Sequence, residues 1–263
     1  MADGSKIRQN QFMASLSEIT TWLDDYLRTS EIGDYSGALN GLQLETQVPV
    51  TKVAAAVDAC GYTIRAAIDA GAQLLIVHHG LFWSAPQPMV GGEYRKYATA
   101  IQAGLGIYSS HLPLDLHPEV GNNAVLAREL SLDSCTPFLP TKGQPVGLLA
   151  ETEIHRAEFV DRVDAKVPGA IQILGDGPQV CRRIGIVTGG AGGEVTVAAE
   201  AGVDTFLTGE APHWAATAAE DLGINLILGG HYATETFGVK ALSMKLADQF
   251  GVQWEFIDHP TGL

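Results

Sequence analysis

The chain has 263 residues, 46% hydrophobic and only 17% charged, a composition that supports a substantial core and excludes a disordered chain. A net charge of −14 argues against sequence-independent binding to DNA or RNA, whose phosphates it repels, although bound cations can reverse the sign locally. No apolar run reaches membrane-spanning length, the leading MADGSKIRQNQF lacks a signal-peptide core, and Cys60, Cys135 and Cys181 form no CxxC, so a soluble, reduced, cytoplasmic protein is expected.

Ser15 and Glu18 have capping-box spacing ahead of Leu16, Ile19, Leu23 and Leu27, which recur at helical intervals. A glycine-punctuated loop, GDYSGALNG, leads into a short strand near Leu42. Then the pattern alternates: KVAAAV (52–57) reads as a buried strand, YTIRAAIDA as a helix, QLLIV (73–77) as a strand, EYRKYATAIQA as a helix and GIYSS as a strand. Such alternation predicts βαβ units and a mainly parallel sheet. Residues 136–182, entered through Pro137 and Pro140, read as a short βαβ passage of their own, VGLLAE, HRAEFVDRVDAKV and AIQIL. The final third returns to the first theme with IGIVT, EVTVAAEA, DTFLT, HWAATAAEDL and NLILG. A helix from about Thr234 to Phe250 and a last strand, VQWEFI, complete it; Val239, Leu242, Leu246 and Phe250 form the helix's core stripe.

Two stretches match. AAIDAGAQLLIVHHG and VAAEAGVDTFLTGEA align on Gly71 and Gly202, setting His78 and His79 opposite Gly209 and Glu210. Aligning His111 with His231 sets Asp115 against Glu235, whereas aligning Gly106 with Gly223 does not, so the register slips within the strand. A histidine followed four residues later by a carboxylate, just beyond a strand, survives in both halves.

LLIV running into His78-His79 puts two imidazoles at the carboxyl edge of a sheet, where open α/β folds bind ligands. His111-x-x-x-Asp115 is expected in a loop because of Pro113, with Leu112 and Leu114 inward. His231 is expected to close a strand, and Glu235 to fall in the first turn of the last helix. Each pair alone is a weak signal, and an isolated histidine is more often structural. Pooled, the segments offer up to four imidazoles and two carboxylates, a donor set suited to Zn, Fe, Mn or Ni. A carboxylate can bridge two such cations, and water between them becomes a nucleophile near neutral pH, which points to hydrolysis. Glu210, opposite His79, is the candidate catalytic base or a supporting residue. His117 and His213 are set aside. GGAGGE (189–194) matches neither phosphate-binding fingerprint and reads as a tight turn.

NGLQ (40–43), LLIVHHGLFW (74–83), YSSHLPLDLHPEVGNN (108–123), LTGE (207–210) and GGHYATETFGVKAL (229–242) occur in the order found in the Ngg-interacting-factor-three-like family. The chain resembles that family over nearly its whole length; its bacterial members carry the name GTP cyclohydrolase 1 type 2 homolog. The resemblance implies two intertwined α/β lobes with mainly parallel or mixed sheets and an internal pseudo-duplication. The lobes would be built from residues 1–135 with 183–263, around the short middle segment 136–182. It further implies two divalent metal ions per subunit, held by His78, His79, Asp115, His231 and Glu235 with His111 nearby, facing the cavity of a toroidal homohexamer. Some relatives carry a long inserted domain that this short middle cannot supply. Two functions follow as expectations: a dinuclear-metal hydrolase acting on GTP or a related small molecule, and a non-catalytic metal-binding scaffold.

Overall fold

The first helix, Leu16–Tyr26, opens on the predicted capping box: the Ser15 hydroxyl accepts from the Glu18 amide at 3.2 Å, and the Glu18 carboxylate accepts from the Ser15 amide at 2.9 Å. The structure is a computed structural model describing residues 14–83, 87–141 and 143–263; the leading MADGSKIRQNQF lies outside the described residues. Leu16, Ile19, Leu23 and Leu27 are buried as their spacing predicts.

In chain order the strands are β1 (Gly41–Leu44), β2 (Lys52–Asp58), β3 (Leu74–His79), β4 (Gly106–Ser109), β5 (Thr136–Thr141), β6 (Gln144–His155), β7 (Gln172–Leu174), β8 (Val180–Val187), β9 (Thr205–Thr208), β10 (Asn225–Leu228) and β11 (Gln253–Phe256). They form two mixed sheets, β1-β4-β3-β2-β11 and β5-β6-β8-β9-β10-β7. In the first, β4, β3, β2 and β11 are parallel and β1 is an antiparallel edge. In the second, β8, β9 and β10 are parallel, with β6 and β7 antiparallel on either side.

The unbroken apolar runs of β2 and β3 follow from burial on both faces. Val53, Ala55, Leu74, Ile76 and Tyr108 pack on one side with Leu23 of the first helix and Val239, Leu242 and Leu246 of the helix Thr236–Phe250. Ala54, Ala56, Leu75, Val77 and Ile107 pack on the other with Ile64 and Ala67 of the helix Gly61–Asp69 and Ala100 of the helix Gly91–Ala103. The chain therefore leaves the first sheet after β4, builds the second, and returns through Thr236–Phe250 to add β11 beside β2. That return intertwines the two lobes.

Residues 136–182 are woven into the second sheet. β5 and β6 form one edge and β7 the other, with β8, β9 and β10 between them. Pro137 and Pro140 both lie in β5, where an edge position tolerates their missing amide hydrogens.

The duplication has a backbone basis. Gly71 and Gly202 take left-handed φ values of 75° and 80°, each between a helix and the strand β3 or β9. Gly104 and Gly223, at 68° and 66°, are the left-handed caps before β4 and β10. Matched on those caps, rather than Gly106 on Gly223, His111 falls opposite Gly230. The slip is thus one residue, taken up at Gly229-Gly230 beyond β10.

The helix Asn122–Glu129 ties the lobes together. Asn122 Oδ1 accepts from the amide of Gly238, in the returning helix, at 2.6 Å. Asn123 Nδ2 donates to the Val146 carbonyl in β6, and its Oδ1 accepts from the Thr188 amide after β8, both at 2.8 Å. Asn123→Ala strands both backbone groups in the interior, so it should cost about 2–4 kcal/mol in urea denaturation; an unchanged midpoint would contradict this role.

Candidate metal centre

The carboxyl ends of β3 and β4 meet those of β9 and β10, and the histidines lie in the gap. Strand alternation carries His78 onto the face of Leu74 and Ile76, and His79 onto the opposite face at the strand's end. His111 follows β4. Pro113 does not force a loop there: it occupies the first turn of a short helix, Leu112–Asp115, where its missing N–H costs nothing. The turn brings Asp115 back under His111, with its amide donating to the His111 carbonyl at 3.0 Å. Leu112 and Leu114 are buried as expected. On the other lobe, β10 stops at Leu228, so His231 opens a short helix, His231–Thr234, instead of closing the strand. Glu235 is the N-cap of Thr236–Phe250, one position ahead of the expected first turn.

Each of the four imidazoles at the centre is held by its Nδ1. His78 meets the Ser110 carbonyl at 3.0 Å, His79 meets Asp58 at 2.9 Å, His111 meets Asp34 at 2.9 Å and His231 meets Glu210 at 3.0 Å. A carbonyl or carboxylate oxygen only accepts, so Nδ1 carries the hydrogen and, in the neutral ring, Nε2 carries the lone pair. This is the orienting pattern of metal-binding histidines.

Three of the Nε2 atoms point at the two inner carboxylates. His78 Nε2 lies 3.5 Å from both Asp115 Oδ2 and Glu235 Oε1; His79 Nε2 and His231 Nε2 lie 3.4 Å and 3.2 Å from Glu235 Oε2. Lone pairs facing carboxylate oxygens at these distances repel unless a proton or a cation stands between them. His78 Nε2 and Glu235 Oε2 are both buried without a hydrogen bond. The donors fall into two overlapping groups, His78–His79–His111 and His79–His231–Glu235, each with its ligand atoms within 4.8 Å of one another. The residues present therefore fit a metal ion, by donor chemistry and by orphaned buried atoms alike.

The electrostatics agree. Burial lowers the His78 pKa, but Asp115 and Glu235 outweigh it and push it up to about 10. His231 is likewise depressed by burial, yet Glu235 and Glu210 raise it to about 9. Burial raises Glu235, but His78, His231 and His79 hold it well below the usual carboxylate range. For Asp34 too, burial is outweighed by its hydrogen bond to His111, which keeps the carboxyl low.

All six expected ligands thus converge. Glu210 meets the centre through His231 Nδ1 and lines a neighbouring cavity, a position suited to orienting that ring. His117 bonds the Tyr26 carbonyl and packs at a tilt of 39° against the Tyr26 ring, away from the cluster. Asp34, Asp58 and Asn122, which donates to Asp115 Oδ1 at 2.8 Å, escaped the sequence reading. Asp58 was findable, since it ends β2 at the same carboxyl edge; Asp34 sits in an irregular loop without a periodic signal. GGAGGE is more than a turn: a Cβ on Gly189, whose φ is +73°, would lie 2.2 Å from Glu235 Oε1. The cavity in front of the centre, about 240 Å³, is walled by Leu112, Leu139, Val146 and Val187, with Trp83 and Tyr35 beside His111.

The sequence model of the Duf34/NIF3 family (NGG1p interacting factor 3) matches residues 14–262. A Deinococcus radiodurans protein named GTP cyclohydrolase 1 type 2 homolog is 43% identical over 249 residues, 94% of each chain. One of the same name from Pyrococcus abyssi is 38% identical over 258 residues, covering 94% of this chain and 98% of that one. A crystal structure of a Thermus thermophilus protein, 39% identical, superposes with a TM-score of 0.87 over 95% of this chain and 100% of that one.

Two outcomes follow from this geometry. Asp58→Asn should lower metal affinity about 10–100-fold with the fold intact, since it loosens only the His79 ring; equal affinity would deny Asp58 its orienting role. In chelator-treated protein, His78 and His231 have folded pKa values raised above 6.5, so their stabilisation is complete below about pH 6.5 and is lost as pH rises through about 9 to about 10. Glu235, lowered, contributes above 4.5 and loses its contribution as pH falls. Melting temperature should therefore fall between pH 7 and 10, and added divalent metal should remove that fall; a flat profile without metal would refute the charge arrangement.

Proposed function

Because the chain belongs to the Duf34/NIF3 family, we propose that it is a hydrolase working with two divalent metal ions on a nucleotide or related small molecule. One observation carries this reading. The two oxygens of Glu235 face different imidazoles, Oε1 toward His78 and Oε2 toward His79 and His231, as a carboxylate shared between two cations would. The charge supports the number two. Asp34, Asp58, Asp115, Glu210 and Glu235 surround four imidazoles that are neutral when they coordinate, and two divalent cations bring +4 against those five negative charges.

His78, His79, His111, Asp115, His231 and Glu235 would hold the ions. When bound, such cations supply Lewis acidity, acidifying water toward neutral pH and polarising an electrophilic centre. The chain's own part is positioning. Asp34, Asp58 and Glu210 lock three rings, the Ser110 carbonyl locks the fourth, and Asn122 turns Asp115. The apolar wall and Trp83 bound a cavity of about 240 Å³, below the ~300–1,000 Å³ of sites that enclose a whole ligand. It suits the reacting ring or ester of a substrate whose remainder extends outside. The relatives' name, GTP cyclohydrolase 1 type 2 homolog, makes a purine nucleotide the first substrate to test.

Elemental analysis should find two metal ions per chain, and both Asp115→Ala and Glu235→Ala should lose most of them. The loaded protein should turn over GTP or a member of a phosphoester panel, and chelation should abolish that activity. Full metal content in both variants ends the metal assignment. Two ions per chain with no turnover on any substrate ends the hydrolase reading and leaves a metal-binding scaffold.

A further inference from the structure

Among the described residues, nearly every lysine and arginine side chain is engaged. Each donates to a carboxylate, carbonyl or amide oxygen, or lies over an aromatic ring. Arg65 and Arg95 are the exceptions, and both line the same cleft, of about 640 Å³, between the helices Gly61–Asp69 and Gly91–Ala103. In a chain of net charge −14, two unpaired guanidinium groups facing one space are a distinct local field. Lys96 adds a third cation, and the one carboxylate in the lining, Glu93, is paired with it at 3.0 Å.

The backbone reinforces that field. Both helices begin with glycine behind N-cap residues, Cys60 and Val90, that have no side-chain oxygen to offer the first amides. Arg65 folds back over the first glycine of its helix, where a Cβ on Gly61 would lie 3.3 Å from Arg65 Nη1, and Arg95 reaches the second residue of its own, where a Cβ on Gly92 would lie 4.0 Å from Arg95 Nη2. Each helix start thus combines amide hydrogens, the positive end of the helix dipole and a guanidinium. Gly61 follows Asp58 by three residues, so the cleft begins no more than about 11 Å of chain from the carboxylate that holds His79. Both helices rise from the sheet edge that carries the metal centre.

We propose that this cleft is an anion subsite that binds a phosphate or short polyphosphate group through Arg65, Arg95 and the two helix N-termini. As the place where a nucleotide's phosphates rest while its reacting end occupies the small cavity, it depends on the function proposed above; as an anion site it stands alone. Two paired cations would have made the cleft an ordinary surface. Two unpaired ones have no carboxylate to give up, so a dianion can take bidentate hydrogen bonds from them.

The test is calorimetric titration of pyrophosphate into the full chain, both metal-loaded and after chelation. Binding is expected in both forms, and R65Q/R95Q should weaken it by roughly tenfold or more with metal content and Tm unchanged, because neither side chain has a partner to lose. Unchanged affinity in R65Q/R95Q overturns the proposal. So does pyrophosphate binding that vanishes on chelation and ignores both arginines, which would place the anion on the metals. Arginine-dependent binding without turnover sinks the hydrolase reading and leaves the subsite standing; turnover without arginine-dependent binding does the reverse.

Discussion

A buried carboxylate among buried imidazoles organises this molecule. Glu235 is almost wholly removed from water, and His78 is entirely so. Isolated charge in such a place is costly, and the cost falls only if compensating charge lies within a few ångströms. Glu235 comes from the helix that returns from the second lobe to the first, while His78 and His79 come from the central strand of the first sheet. Full compensation of that carboxylate therefore draws on both lobes, His78 and His79 from the first and His231 from the second.

Around this junction the packing is arranged to allow close approach. Gly189 and Gly209 lie where a side chain would strike Glu235, His231 or backbone. Asn122 and Asn123 spend their amides on backbone groups from both lobes and on Asp115. The outer carboxylates Asp34, Asp58 and Glu210 fix the tautomers, and so decide which ring nitrogen faces inward. Among lone pairs set this close, a divalent cation would satisfy several at once, whereas a proton satisfies one.

The pseudo-duplication explains why the centre is built from matched pieces with unmatched details. At the strand pair β3 and β4 stand two imidazoles, His79 and His111; at the matched pair β9 and β10 stand a carboxylate, Glu210, and the imidazole it holds, His231. The one-residue difference at Gly229-Gly230 carries His231 beyond its strand into a helical turn. Spacing alone could not reveal this, because the histidine-to-carboxylate interval is the same in a loop, a strand end or a helix. The same blindness applied to Pro113, which reads as a helix breaker until its place in a first turn is known.

What the sequence determined by itself was the alternation of elements, the capped first helix, the apolar strands and the six candidate ligands. Each of these is written in local periodicity or in residue chemistry, and both survive without knowledge of the partner segment. Tertiary structure alone decided that residues 136–182 join the second sheet at both of its edges, and that Glu210 stands behind His231. It also brought Asp34, distant in the chain, against His111, and left Arg65 and Arg95 unpaired beside one cleft. Those facts concern which surfaces meet across long separations, and a linear pattern of hydrophobic and polar residues carries no record of that choice.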